Sequence, residues 1–149
     1  MKLFFSALIA IASIPDLSFM LSVDQVNPTG TYLLKGSIKK NIIEGHNGEI
    51  RVKLLDENKL AMSLYINKGA PNFESAFFSD TLQYFDNQAN YNSPIDSDCT
   101  INVVFGPTTA EIFFVHSNPD CTCGFAKGVI ITAVFEKISA ETPVIKKFR

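Results

Sequence analysis

The side chains best able to do chemistry are three cysteines, and two of them sit two positions apart in "NPDCTCGFAKGV": Cys121 and Cys123, with Cys99 upstream. Thiols in this arrangement admit a redox pair, a metal site, a nucleophile or a structural staple. Strand register narrows the choice. The turn "GPTT" at 106–109 joins two alternating runs, so Phe105 is expected opposite Ala110 and Cys99 opposite His116. The segment carrying Cys121 and Cys123 begins just after His116, which gathers all four residues at one end of the fold. A C-x-C spacing is not the C-x-x-C of structural zinc sites. A disulfide within C-x-C closes a strained small ring. A Cys–His nucleophilic pair needs a third group to orient the imidazole, and the sequence supplies no evident one. The staple remains, with Cys99 joined to either Cys121 or Cys123, and is worth on the order of 2–4 kcal/mol.

The elements that position these residues are short alternating runs. "TYLLK" at 31–35 opens the series. Asn47-Gly48 reads as the strongest hairpin signal, because both central residues of a type I′ turn need positive φ. Further strands are expected over 49–56, 60–66, 76–85, 89–92, 100–105, 110–116 and 128–138. Connections of two to five residues between consecutive strands imply antiparallel neighbours. The expected fold is therefore all-β: an antiparallel up-and-down meander of about eight strands, closing into a lipocalin-like barrel, with a two-sheet sandwich as the alternative. Strands such as "IFFV" are apolar on both faces, which leaves an outer patch or an inner cavity to explain.

Composition sets the compartment. The first residues, "MKLFFSALIAIASIPDLSFMLS", pair Lys2 with an apolar run from Leu3 to Ile14 that Pro15 ends. That run is too short for a bilayer, which takes about 20 residues, and reads as a signal peptide over 1–22. One barrel domain follows over 23–138, with a flexible C-terminal tail over 139–149. Export to the periplasm or beyond implies an oxidising compartment where cysteines pair. With 13 basic and 15 acidic residues among 149, the chain has no basic patch for nucleic acid, and no stable membrane span is expected.

Other candidates are weaker. His46 reads as an exposed turn histidine. Asp96, Ser97 and Asp98 lack the full oxygen set of a calcium loop. Asp80 is expected to point outward. No paired carboxylates, nucleotide loop, G-x-S-x-G or H-E-x-x-H occurs, so no enzyme activity, cofactor or metal is expected.

The runs "GEIRVKLLDENKLAMSLYINKGAPN", "DCTINVVF", "CGFAKGV" and "VFEKIS" resemble a group of small exported bacterial β-domains with a late C-G-F-G-x-G-V motif. These occur alone or beside domains of lysozyme-inhibitor type. The resemblance covers about residues 30–138. It maps the group's two cysteines onto Cys99 and Cys123, implying that these pair and that Cys121 is free or an alternative partner. Gly124, Phe125, Gly128 and Val129 match the motif; Ala126 replaces a glycine, and Cys121 is extra. Gly30-Thr31-Tyr32 is a weaker echo of the lipocalin Gly-x-Trp, in a chain with no tryptophan. The resemblance implies a non-catalytic binding protein, with a lysozyme-like hydrolase as candidate target. The loops expected to reach that target carry Lys68, Pro71, Asn72 and Phe73, and Asn118, Asp120, Phe125 and Lys127. Two alternatives stay open: a carrier of a small apolar ligand inside the barrel, and a structural or surface-associated domain.

Overall fold

The computed structural model describes residues 24–147; the leader expected over 1–22 lies outside them. The strands are β1 (Gly30–Leu34), β2 (Ser37–Lys39), β3 (Ile42–Glu44), β4 (Asn47–Asp56), β5 (Lys59–Asn67), β6 (Ser75–Phe85), β7 (Gln88–Asn92), β8 (Cys99–Phe105), β9 (Thr109–His116) and β10 (Ala133–Ser139). Eight of them close into an antiparallel barrel in the order β1-β10-β9-β8-β7-β6-β5-β4, and β2 and β3 form a separate small hairpin. No helix occurs among the described residues.

The period-two pattern explains the closure. Val52 and Ile50 of β4, Leu60, Met62, Leu64 and Ile66 of β5, and Ile101 and Val103 of β8 are all fully buried. Their outward neighbours are polar or half-exposed, so one register satisfies every strand. Each fully buried aliphatic side chain contributes about 1.5–3 kcal/mol relative to exposure. At the closing seam β1 meets β10 with a bulge between Thr31 and Tyr32. Gly30 stands beside that bulge at φ 149°, and a Cβ there would collide with the Ser139 carbonyl.

Side chains fill the interior. Phe105 lies between Tyr32 and Tyr84 at ring distances of 6.0 and 5.9 Å, and Phe78 stacks on Tyr91 at 3.8 Å. The two central phenols are satisfied by the N-terminal segment: Tyr32 donates to the Pro28 carbonyl at 2.8 Å and Tyr84 to that of Val26. Burial raises the pKa of both hydroxyls, that of Tyr32 strongly. The wall is thinnest between β6 and β7, which share register only at Tyr84↔Ala89 and Phe85↔Gln88. Asp80 follows the inward parity of Phe78 and Leu82, yet is exposed on this splayed stretch.

Two local expectations are corrected. Asn47-Gly48 is not a turn but the start of β4, and the turn falls at Lys40-Asn41, with φ of 49° and 62°. Gly48 is needed for close packing instead, since a Cβ would strike the Tyr65 carbonyl across the β4–β5 ladder. The last strand begins at Ala133 rather than Gly128. Gly128 turns the chain at φ 75° and sends Val129, fully buried, into the core, so these residues cap the barrel before β10 starts. The C-terminal segment after β10 is fastened to the outer wall at two points: Arg51 Nη1 donates to the Val144 carbonyl at 3.2 Å and Lys146 Nζ to Glu49 Oε1 at 2.9 Å.

Candidate functional site

The antiparallel wiring brings the ends of β1, β5, β7 and β9 and the starts of β4, β6, β8 and β10 to one end of the barrel. Cys99 opens β8 and stands opposite His116 at the close of β9, and Phe105 stands opposite Ala110. The β8–β9 register expected from the turn is the observed one.

Cys99 and Cys123 lie at disulfide distance, with Cα atoms 5.1 Å apart, and Cys121 is free and buried. The three sulfurs lie within 4.8 Å of one another. His116 stays apart from them, its ring 4.9 Å from that of Phe114. The spare thiol is accounted for locally: Cys121 Sγ donates to Asp96 Oδ2 at 3.1 Å. Desolvation raises its pKa, and the carboxylates of Asp96 and Asp98 add to the rise. A protonated, sequestered thiol is a poor nucleophile. Ser93, buried, ties the cysteines to the β7–β8 loop. Its hydroxyl donates to the Cys123 carbonyl at 2.9 Å and accepts the amides of Ile95 and Asp96 at 3.2 and 3.1 Å.

The loop after β5 is organised by Asn67, 7% exposed. Its amide nitrogen donates to the Phe73 carbonyl and Ser75 Oγ, both at 2.7 Å, and its oxygen accepts the Gly69 amide at 2.7 Å. The Lys68 amide donates to the Glu74 carbonyl, and that of Phe73 to the Gly69 carbonyl, each at 2.9 Å. The peptide before Pro71 is cis. This frame holds Pro71, Asn72 and Phe73 outward as an exposed tip. Phe73 is 52% exposed and adopts φ 50°, a conformation rare for a side-chain-bearing residue.

The loop after β9 has its own frame. The Asn118 side chain accepts the Asp120 amide at 3.0 Å, and Lys127 Nζ lies 3.8 Å from Asp120 Oδ1. Phe125 packs against the core, so its ring anchors the loop rather than presenting a contact. Lys68 Nζ bridges the two loops, reaching Glu74 Oε2 and the Lys127 carbonyl, each at 3.1 Å. His46 is corrected from an exposed turn histidine to a second bridge: half-buried, its Nε2 lies 2.8 Å from the Gly128 carbonyl. Asn67, Ser93 and His46 organise this loop end, a role that sequence reasoning missed. Only the Asn-x-Gly at 67–69, an Asx-turn pattern, carried a local signal.

This arrangement can present a rigid, mixed aromatic and polar surface. Cavities open on the surface: one of about 460 Å³ on the outer wall beside the β2–β3 hairpin, one of about 370 Å³ at the β6–β7 seam, and one of about 200 Å³ in the cysteine loop. No helix among the described residues is long and apolar enough to cross a membrane. Compared with known proteins, the chain matches no family model, no curated sequence and no solved structure.

Proposed function

We propose that this chain is a non-catalytic binding protein of the periplasm or the secreted space, whose loop end plugs the cleft of a protein target, with a lysozyme-like hydrolase as the first candidate. The observation that carries this reading is Phe73. An exposed aromatic ring sits at the tip of a loop whose backbone is already ordered by Asn67 and clamped by Lys68. Ordering a loop side chain on binding costs about 0.5–1.5 kcal/mol per residue, and a preorganised tip avoids much of that. Aromatic anchors entering pockets carry a large share of interface energy. The cysteine pair supports the oxidising compartment.

The test is inhibition and capture with a panel of lysozymes and related glycan hydrolases, using the oxidised full chain. Inhibition by the wild type, weakened at least tenfold in Phe73→Ala with an unchanged melting temperature, is the expected result. No inhibition and no captured hydrolase across the panel would remove the reading.

A further inference from the structure

The groove on the outer wall is distinct from the loop tip and has a chemistry of its own. It encloses about 460 Å³ between the barrel and the β2–β3 hairpin, inside the range of small-molecule sites. Leu33, Leu34 and Tyr65 line it from the barrel, and Ile38 and Ile43 from the hairpin. Ile38 and Ile43 are directly opposite in register and are 74% and 43% exposed. A two-stranded hairpin standing alone is marginal in water. This one is held in place by the Ala70 amide donating to the Ile43 carbonyl at 3.0 Å. The fold therefore keeps an isoleucine pair wet and a groove open, although covering that apolar surface would be favourable.

Charge identifies what would cover it. The lining carries the cations Lys35 and Lys146 and one carboxylate, Glu49. That carboxylate is already taken, by Arg51 Nε at 2.8 Å and Lys146 Nζ at 2.9 Å. Lys39 and Lys40 add positive charge at the hairpin turn, against Glu44 alone, which lies 3.4 Å from Lys39. This is a cationic neighbourhood on a chain whose formal net charge is −2. An aliphatic channel with a cationic lining matches one ligand class. We infer that the groove binds a single-chain anionic amphiphile, a long-chain carboxylate. Its alkyl chain lies against Leu33, Leu34, Ile38 and Ile43, and its carboxylate faces Lys35, the lining cation that Glu49 does not engage. This site is independent of the proposed loop-end function and does not use Phe73.

The test is calorimetric titration of the oxidised full chain with dodecanoate below its micellar concentration. Dodecyl maltoside and dodecyltrimethylammonium serve as neutral and cationic comparators, and phosphatidylglycerol vesicles as the bilayer comparator. Ile38→Asp and Lys35→Glu alter exposed positions, so both variants should fold; circular dichroism checks this. Saturable one-to-one binding of dodecanoate is expected, at least tenfold weaker for the other two head groups and in each variant. A nitroxide-labelled fatty acid should broaden the methyl signals of Leu33, Leu34 and Ile43 and spare those of Met62 and Ile101. The inference is overturned by no saturable binding, by equal affinity across head groups, by full binding in Ile38→Asp, by broadening centred on Met62, or by vesicle association in place of monomer binding.

Discussion

Lys68 Nζ and the Lys127 carbonyl are 3.1 Å apart, and that bond fastens the loop after β5 to the loop after β9. The two segments are far apart in sequence, yet both are expected target loops, and the barrel delivers them to the same end. Lys68→Met keeps the aliphatic stem and removes the bond, together with the ion pair to Glu74. The expected cost to global stability is about 0.5–1.5 kcal/mol. The larger effect should be local: faster amide exchange in both loops, read by hydrogen exchange, with the strand amides of β4 and β5 unchanged. Uniform acceleration across the barrel would show that the bond does not act as a loop clamp.

Asn67 makes a sharper prediction. Its side chain is buried and uses both ends of the amide, so removing it strands the Gly69 amide and leaves the Phe73 carbonyl only the longer bond from Ser75 Oγ at 3.3 Å. Asn67→Ala should cost about 1–3 kcal/mol. Asn67→Asp keeps the acceptor for Gly69 but places a carboxylate oxygen against the Phe73 carbonyl, and should cost at least as much. Urea denaturation of the three proteins reads this. An alanine variant within about 0.3 kcal/mol of the wild type would deny Asn67 its organising role.

The contrast between these loops and the barrel wall shows what the sequence could reveal. The β8–β9 register followed from one four-residue turn and strict alternation, because a slip of one residue would put Ile101 and Val103 in water. The eight barrel strands and their closure followed from the same period, whereas the β2–β3 hairpin was not read from it. The misreadings came where a residue serves two purposes. Gly48 reads as a turn glycine, but it is required by the approach of the Tyr65 carbonyl. Val129 reads as strand, but it is a core plug behind a left-handed Gly128. The bonds that build the loop end, Lys68 to Lys127, His46 to Gly128 and Ser93 to Cys123, join distant segments. No local pattern encodes them, so they emerge only once the barrel has placed their partners.

The cysteines separate by role under mutation. The Cys99–Cys123 link spans 24 residues, and the loop-closure model assigns such a link about 3.5 kcal/mol. Cys99→Ser should lose most of that in urea unfolding, and the reduced wild type should behave alike. Cys121→Ser, which keeps a donor for Asp96, should stay within about 1 kcal/mol of the wild type. Non-reducing peptide mapping should find a peptide joining Cys99 to Cys123, with Cys121 alkylated slowly in the folded state and quickly in urea. A peptide joining Cys99 to Cys121 would reverse the assignment.

Glu49 sets the acid limit that the groove wall contributes. Burial alone would raise its pKa, but hydrogen bonds from Arg51 and Lys146, and then their charges, outweigh burial and hold it below the ordinary value of 4.5. A carboxylate with a lowered folded pKa binds protons less readily when folded than when unfolded. Its contribution to stability is therefore complete above the unfolded pKa and is lost as pH falls through the folded one. The loss should begin near pH 4.5 and finish below the lowered value. Glu49→Gln should cost at most about 1 kcal/mol near neutral pH, since the pair with Lys146 is partly exposed and screened. Once the pH has fallen below the lowered folded value that difference should vanish, because the wild type has then taken up the proton. Urea midpoints from about pH 7 down to pH 3 read this directly, and raising the salt should shrink the neutral-pH gap. A gap that persists undiminished at the lowest pH would mean that packing, not charge, is what Glu49 contributes.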